Sequence, residues 1–234
     1  MLNVDIDKAN IIIEDCFSKM KTARMYLQLI DEILPLTEQK NSKLYIETIT
    51  PLCINTLCCT CIYNLVVIYK HMMLSKDADL VFFITHLCGE IYENFKTLNE
   101  YNDYISSNLP KDIYKEYKLK KRKIGIYQKK LDKIRNKTSF HIEKEFRVYY
   151  DTMLDSFKIP ILDIYNDMMD FINYLQSHNK VIMNSKIETH KSLIYENALS
   201  YIKILEDEII AFPENKEKHF MLNELKQIFT KKSV

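Results

Sequence analysis

Arg135 and His141 are separated by five intervening residues in the run Ile134-Arg135-Asn136-Lys137-Thr138-Ser139-Phe140-His141. A guanidinium offers a planar fork of donors to phosphate oxygens, and an imidazole can exchange a proton near neutral pH. Brought together, these groups can cut a phosphodiester without a metal. The arginine stabilises charge developing on the phosphoryl oxygens, and the histidine moves the proton. Asn136 adjoins the arginine and is placed to orient either the imidazole or the phosphate. The candidate catalytic residues are therefore Arg135, Asn136 and His141.

The spacing dictates what the backbone must do. On one continuous helix, six steps of about 100° leave the two side chains about 120° apart, and they do not converge. Asn136, Thr138 and Ser139 are all favourable N-cap types. A helix started by one of them puts His141 in its first turn and leaves Arg135 in the junction or turn before it. The new N-terminus would add N–H donors and a positive dipole end, both suited to a phosphate. The plain structural alternative is that Arg135 caps a helix C-terminus and His141 is a structural histidine. His71, His86, His178, His190 and His219 have no carboxylate or cysteine at ligand spacing.

The charge distribution points the same way. From 111 to 137 the chain carries twelve Lys/Arg against three acids, a net +9, which leaves −8 for the remainder of a chain of net charge +1. A field polarised toward the motif suits a polyanion. Lys118, Lys120, Lys121, Arg122, Lys123, Lys129, Lys130 and Lys137 are the candidate contacts to an RNA backbone. Tyr114, Tyr117 and Tyr127 are available either for stacking on bases or as core residues. The competing reading of the basic run is a solvated helix face.

The motif residues resemble those of the HEPN superfamily, defined by an arginine, usually a polar neighbour, and a histidine after four to six intervening positions. Arg135, Asn136 and His141 match those three places, and the phrase from Ile134 to His141 looks most like abortive-infection-type members. The resemblance covers about residues 1–176. It implies an all-α bundle and a metal-independent endoribonuclease acting as a toxin or antiphage effector, with no cofactor. It also implies a homodimer with a composite active site, and an antitoxin or immunity partner is possible on the same footing. A HEPN subgroup paired with nucleotidyltransferase antitoxins carries His-x-Tyr. Position 143 here is Glu143, so modification of a tyrosine at that place is not expected. A non-catalytic HEPN-like adaptor or interaction module is the alternative.

The elements needed to position the motif follow from composition and periodicity. Only Gly89 and Gly125 occur among 234 residues, too few for the tight turns of an antiparallel sheet, so the chain is expected to be all helix. Apolar residues recur at three and four spacing almost throughout. Helices are expected over about 5–34, from 37 or 50 to 74 with Pro51 at its first turn or kinking it, over 77–101, over 111–135, and from just past the motif to about 157. Further helices are expected over 161–176, from 185 or 186 to 212, and over 216–231. The stretch 102–110 reads as an Asn- and Ser-rich loop. The expected organisation is a HEPN-like helical bundle over 1–176 with a C-terminal helical extension over 186–234 packed on it.

Cys58 and Cys61 form a C-x-x-C, but no second Cys or His pair lies at zinc spacing, so small apolar thiols in a buried helix are expected and no metal. The acidic start of the chain lacks the order of a signal peptide, which favours a reducing cytoplasm. Residues 51–69 carry no charge and are nearly long enough to span a bilayer. Asn55, Thr56, Thr60 and Asn64 within them favour an enclosed central helix and no membrane association.

Overall fold

The computed structural model describes residues 6–33, 43–139 and 146–230. Among the described residues every regular element is helical and no strand occurs, so the chain is all-α. The order is α1 (Ile6–Ile33), α2 (Lys43–Leu74), α3 (Asp77–Glu100), α4 (Asn102–Asn108), α5 (Lys111–Gly125), α6 (Gln128–Ile134), a π-helical turn (Arg135–Ser139), α7 (Phe146–Ser156), α8 (Ile161–Thr189), α9 (Lys191–Ala211) and α10 (Lys216–Thr230). The chain divides into two compact units, one comprising Met1–Lys21 and Ile54–Ile182, the other Thr22–Cys53 and Met183–Val234.

The first unit has the larger core. Ile54, Cys58, Cys61 and Leu65 of α2, Leu87, Ile91 and Leu98 of α3, and Met168, Phe171 and Ile172 of α8 are fully buried within it. Aromatic contacts reinforce it: Tyr69 stacks on Tyr165 at 4.3 Å between centroids, and Phe95 meets Phe171 edge-on at 6.1 Å. Two polar residues of α2 find partners inside the unit. Thr60 Oγ1 donates to the Thr56 carbonyl at 3.0 Å, and Asn64 Nδ2 donates to Glu90 Oε1 at 2.8 Å. Residues Ile46–Leu74 are long and apolar enough to cross a membrane, and 50% of their most apolar stretch is buried within the protein. Pro51 lies inside α2, neither at its start nor at its end. In the second unit α9 and α10 pack through Ala198, Ile202 and Leu205 against Leu222 and Leu225.

Three expected boundaries differ from the structure. The stretch 102–110 is not all loop: α4 occupies 102–108. Its serines and asparagine satisfy backbone carbonyls within the turn, Ser107 Oγ donating to Asp103 O at 2.8 Å and Asn108 Nδ2 to Tyr104 O at 2.8 Å. Ile105, 1% exposed, anchors the element, so burial overrides weak propensity. Second, α8 does not end at Ser177-His178-Asn179 but continues to Thr189. Asn179 is buried, and the Ser177 hydroxyl donates back to Tyr174 O at 2.9 Å, so these polar residues serve a helix rather than break it. The real interruption is at His190, whose backbone leaves the helical region. There His190 Nε2 lies 3.0 Å and Lys186 Nζ 3.3 Å from the Glu47 carboxylate.

Third, the basic segment 111–135 is two helices. α5 tightens at its end, with the Ile126 N–H donating to Arg122 O at 3.2 Å and the Tyr127 N–H to Ile124 O at 2.9 Å, and α6 restarts at Gln128. Gly125, at the end of α5, is the poorest helix former available apart from proline. Tyr117 and Ile124 are buried in the core before the break, and Leu131 and Ile134 after it.

A Cβ built on Gly125 would meet nothing within 4 Å, and the backbone there avoids the left-handed region. Gly125→Ala therefore narrows only the unfolded ensemble. It should stabilise the protein by about 0.4–1 kcal/mol, a rise of roughly 1–4 °C in Tm for a chain this size. A fall in Tm by differential scanning calorimetry would contradict this assignment.

Candidate functional site

The motif begins where α6 passes into the π-helical turn. π-Helical turns are rare and are found frequently at functional sites. Ile134, 2% exposed, fixes the turn in the core, and the following residue, Arg135, emerges with 26% of its side chain accessible. The turn packs chiefly against α3. From α3 comes Glu93, whose Oε1 lies 2.5 Å from Arg135 Nε. That contact is close enough for ion pairing but lacks the alignment of a good hydrogen bond, so its attraction is mainly coulombic.

A chain of side-chain bonds extends from the guanidinium. Arg135 Nη1 donates to Asn136 Oδ1 at 2.6 Å, and Asn136 Nδ2 donates to Asp132 Oδ1 at 2.9 Å. Asp132 also accepts from the Tyr92 hydroxyl, a bond that pushes the tyrosine pKa up. Glu93, Arg135, Asn136, Asp132 and Tyr92 thus form one network joining α3, α6 and the π turn. Both polar ends of Asn136 are engaged, which makes it a brace for the arginine.

Asn136 and Thr138 lie within the π turn, so neither starts the new helix that the spacing suggested. The physical reason is continuity: α6 runs into the turn without a break, so Asn136 bonds back to Asp132 four residues earlier instead of capping forward. His141 lies outside the described residues, as do 140–145, and the next described element is α7. α7 is tied to α6 by one carboxylate. Asp155 accepts from Lys158 at 2.8 Å and from Lys133 of α6 at 3.0 Å.

The candidate RNA contacts fall into different environments. Lys120 Nζ pairs with Asp170 at 2.6 Å and Lys123 Nζ with Asp167 at 3.2 Å, both aspartates on α8. Lys121 donates to Asn102 Oδ1 at 2.9 Å. Lys118 sits over the Tyr114 ring at 4.6 Å. Arg122, Lys129 and Lys130 are exposed and have no carboxylate partner among the described residues, and Lys137 is half-buried. Of the tyrosines considered for base stacking, Tyr117 is fully buried and is a core residue, while Tyr114 and Tyr127 are half-buried.

Glu93 escaped the sequence reading. It lies 42 positions before Arg135, and no local rule links the two. The Asp132–Asn136 pair was legible in principle, because residues four apart on a helix are neighbours.

All six cysteines are free, five of them buried. Burial pushes the thiols of Cys61 and Cys88 up to about 12, and Cys58 is raised well above its ordinary value for the same reason. Among the described residues no group of three His, Cys, Asp or Glu is placed to hold a metal ion. No family model matches the chain, and neither a curated protein nor a solved structure shows detectable similarity to it.

The ammonium groups of Lys158 and Lys133 hold the Asp155 carboxyl down to about 2. A depressed folded-state pKa stabilises the fold above the unfolded value of roughly 3.9, and that contribution disappears as pH falls from there toward 2. The difference in urea midpoint between wild type and Asp155→Asn should therefore be constant above about pH 5 and shrink on acidification; a difference independent of pH would refute the pairing. In the native protein, Ellman's reagent near pH 8 should label at most the half-buried Cys53, and all six thiols only after denaturation. Rapid labelling of Cys58 or Cys61 would show that α2 opens.

Proposed function

We propose that the chain is a metal-independent endoribonuclease of the HEPN type, a cytoplasmic toxin or antiphage effector that acts as a homodimer without membrane association. The observation that supports this most is the preset guanidinium. Arg135 projects from a π turn at the end of the basic segment, and Glu93 and Asn136 fix its direction while a quarter of it stays accessible. Prearranged charge of this kind stabilises a phosphoryl transition state without reorganisation at the moment of reaction.

In the proposed reaction the ribose 2′-oxygen attacks the adjacent phosphorus while His141 accepts its proton. Arg135 stabilises the phosphoryl oxygens. The bond from phosphorus to the 5′-oxygen breaks, and that oxygen takes a proton from an imidazolium, leaving a 2′,3′-cyclic phosphate and a 5′-hydroxyl. A single motif supplies one histidine. The HEPN resemblance provides the second from another copy of the chain across a two-fold axis. Lys129, Lys130 and Lys137 flank Arg135 in sequence and are the proposed contacts to the RNA backbone.

A second reading has its own support. The contacts that preset Arg135 also neutralise it, which is the arrangement of a structural arginine in a non-catalytic adaptor. Cleavage of labelled RNA in EDTA separates the two. The ribonuclease reading expects cleavage that falls by about 10²–10⁴-fold in Arg135→Ala and in His141→Ala. It expects a smaller loss, about tenfold, in Glu93→Gln, where the guanidinium remains but its brace is weakened. RNA binding with no cleavage favours the adaptor, and cleavage indifferent to these substitutions removes the motif from the chemistry.

A further inference from the structure

The cations of α5 divide between two sides. Lys120 and Lys123 are neutralised by Asp170 and Asp167. At about 100° per residue, positions 114, 118, 121, 122 and 125 fall within an arc of about 100° on a different side of the helix. That side borders a cleft of about 390 Å³ whose polar lining is Asn99, Asn102, Lys118, Lys121, Arg122 and Gln128. Three cations and three carboxamides face it, and no carboxylate does. Clefts lined by one sign of charge focus the field and concentrate counter-ions.

The individual groups sharpen this. Burial lowers the pKa of Lys121, a desolvation that an adjacent anion would relieve. Asn99 Oδ1 is buried in the lining with no hydrogen-bond partner among the described residues. A buried acceptor without a donor is uncommon, and a ligand N–H or O–H would satisfy it. Carboxamides carry donors and acceptors side by side, as the edges of nucleobases do. At Gly125 the wall is open, since a Cβ there would touch nothing. The volume lies at the lower end of the range for small-molecule sites, roughly 300–1,000 Å³, and accommodates a ligand of nucleotide size.

We propose that this cleft binds a phosphate-bearing ligand of one-nucleotide size, either a free nucleotide or one unit of an RNA chain. Lys118 and Arg122 take the phosphate, and Asn99, Asn102 and Gln128 contact the uncharged part. The proposal requires neither Arg135 nor His141, so it stands or falls apart from the cleavage chemistry.

The test is titration of the full chain at low salt with adenosine 5′-monophosphate by calorimetry, and with a short labelled oligouridylate by fluorescence anisotropy. At least one probe should bind at one site per chain. Its affinity should fall about tenfold or more in Lys118→Ala/Arg122→Ala and several-fold in Asn99→Ala. The charge-matched control Lys158→Ala/Lys180→Ala, neither residue lining the cleft, should change it less than twofold. Binding of the mononucleotide without competition from the oligonucleotide identifies a free nucleotide as the ligand. Binding of the oligonucleotide, either in competition with the mononucleotide or where the mononucleotide does not bind, identifies an RNA unit. Binding retained in Arg135→Ala, whatever happens to cleavage, separates the cleft from the motif. Failure of both probes to bind, or equal losses in the cleft variant and the control, overturns the proposal.

Discussion

The arrangement of the motif depends on one ion pair. A guanidinium stays charged at every pH the protein will meet, so one that is only 26% accessible requires a counter-charge close by. Glu93 of α3 supplies it. Asn136 then spans Arg135 and Asp132, so the arginine is held from two directions by groups that are themselves bonded. The pair joins segments 42 positions apart and holds the π turn against α3. On the other side, Asp155 draws α7 toward α6 through Lys133.

Helical character was plain from the chain because it is a summed property: two glycines, few prolines and a repeating three–four apolar spacing all agree. Boundaries were harder because they depend on single residues meeting distant partners. Ile105 makes a helix of an Asn- and Ser-rich stretch by being buried, and Asn179 lets α8 run on for the same reason. Conversely, His190 ends a helix beside the Glu47 carboxylate, a residue 143 positions away. The site divides similarly. Arg135 and its neighbour could be singled out from type and spacing, and the brace from Asp132 follows from helical geometry. The counter-charge on α3 could not, since electrostatic pairing across a fold leaves no mark on local sequence.

The basic segment shows how far a charge count can mislead about a surface. Its excess is real, but Lys120, Lys123 and Lys133 are matched by aspartates on α8 and α7, so part of it serves packing between helices. Exposed pairs of this kind contribute little stability each, about 0–1 kcal/mol, yet they set which cations remain to face solvent. What remains is organised: one group borders a concave surface with no acid in it, and the other, Lys129 and Lys130, leads into the motif.

The second compact unit is discontinuous, drawing Thr22–Cys53 and Met183–Val234 from opposite halves of the chain. It is therefore not a cassette that a single recombination event at one end of the gene could add or delete. A stop codon near position 183 would remove Lys186 and His190, two basic side chains beside the Glu47 carboxylate. A shortened product of that kind should be a substrate for quality-control proteases and not a minimal working version of the protein.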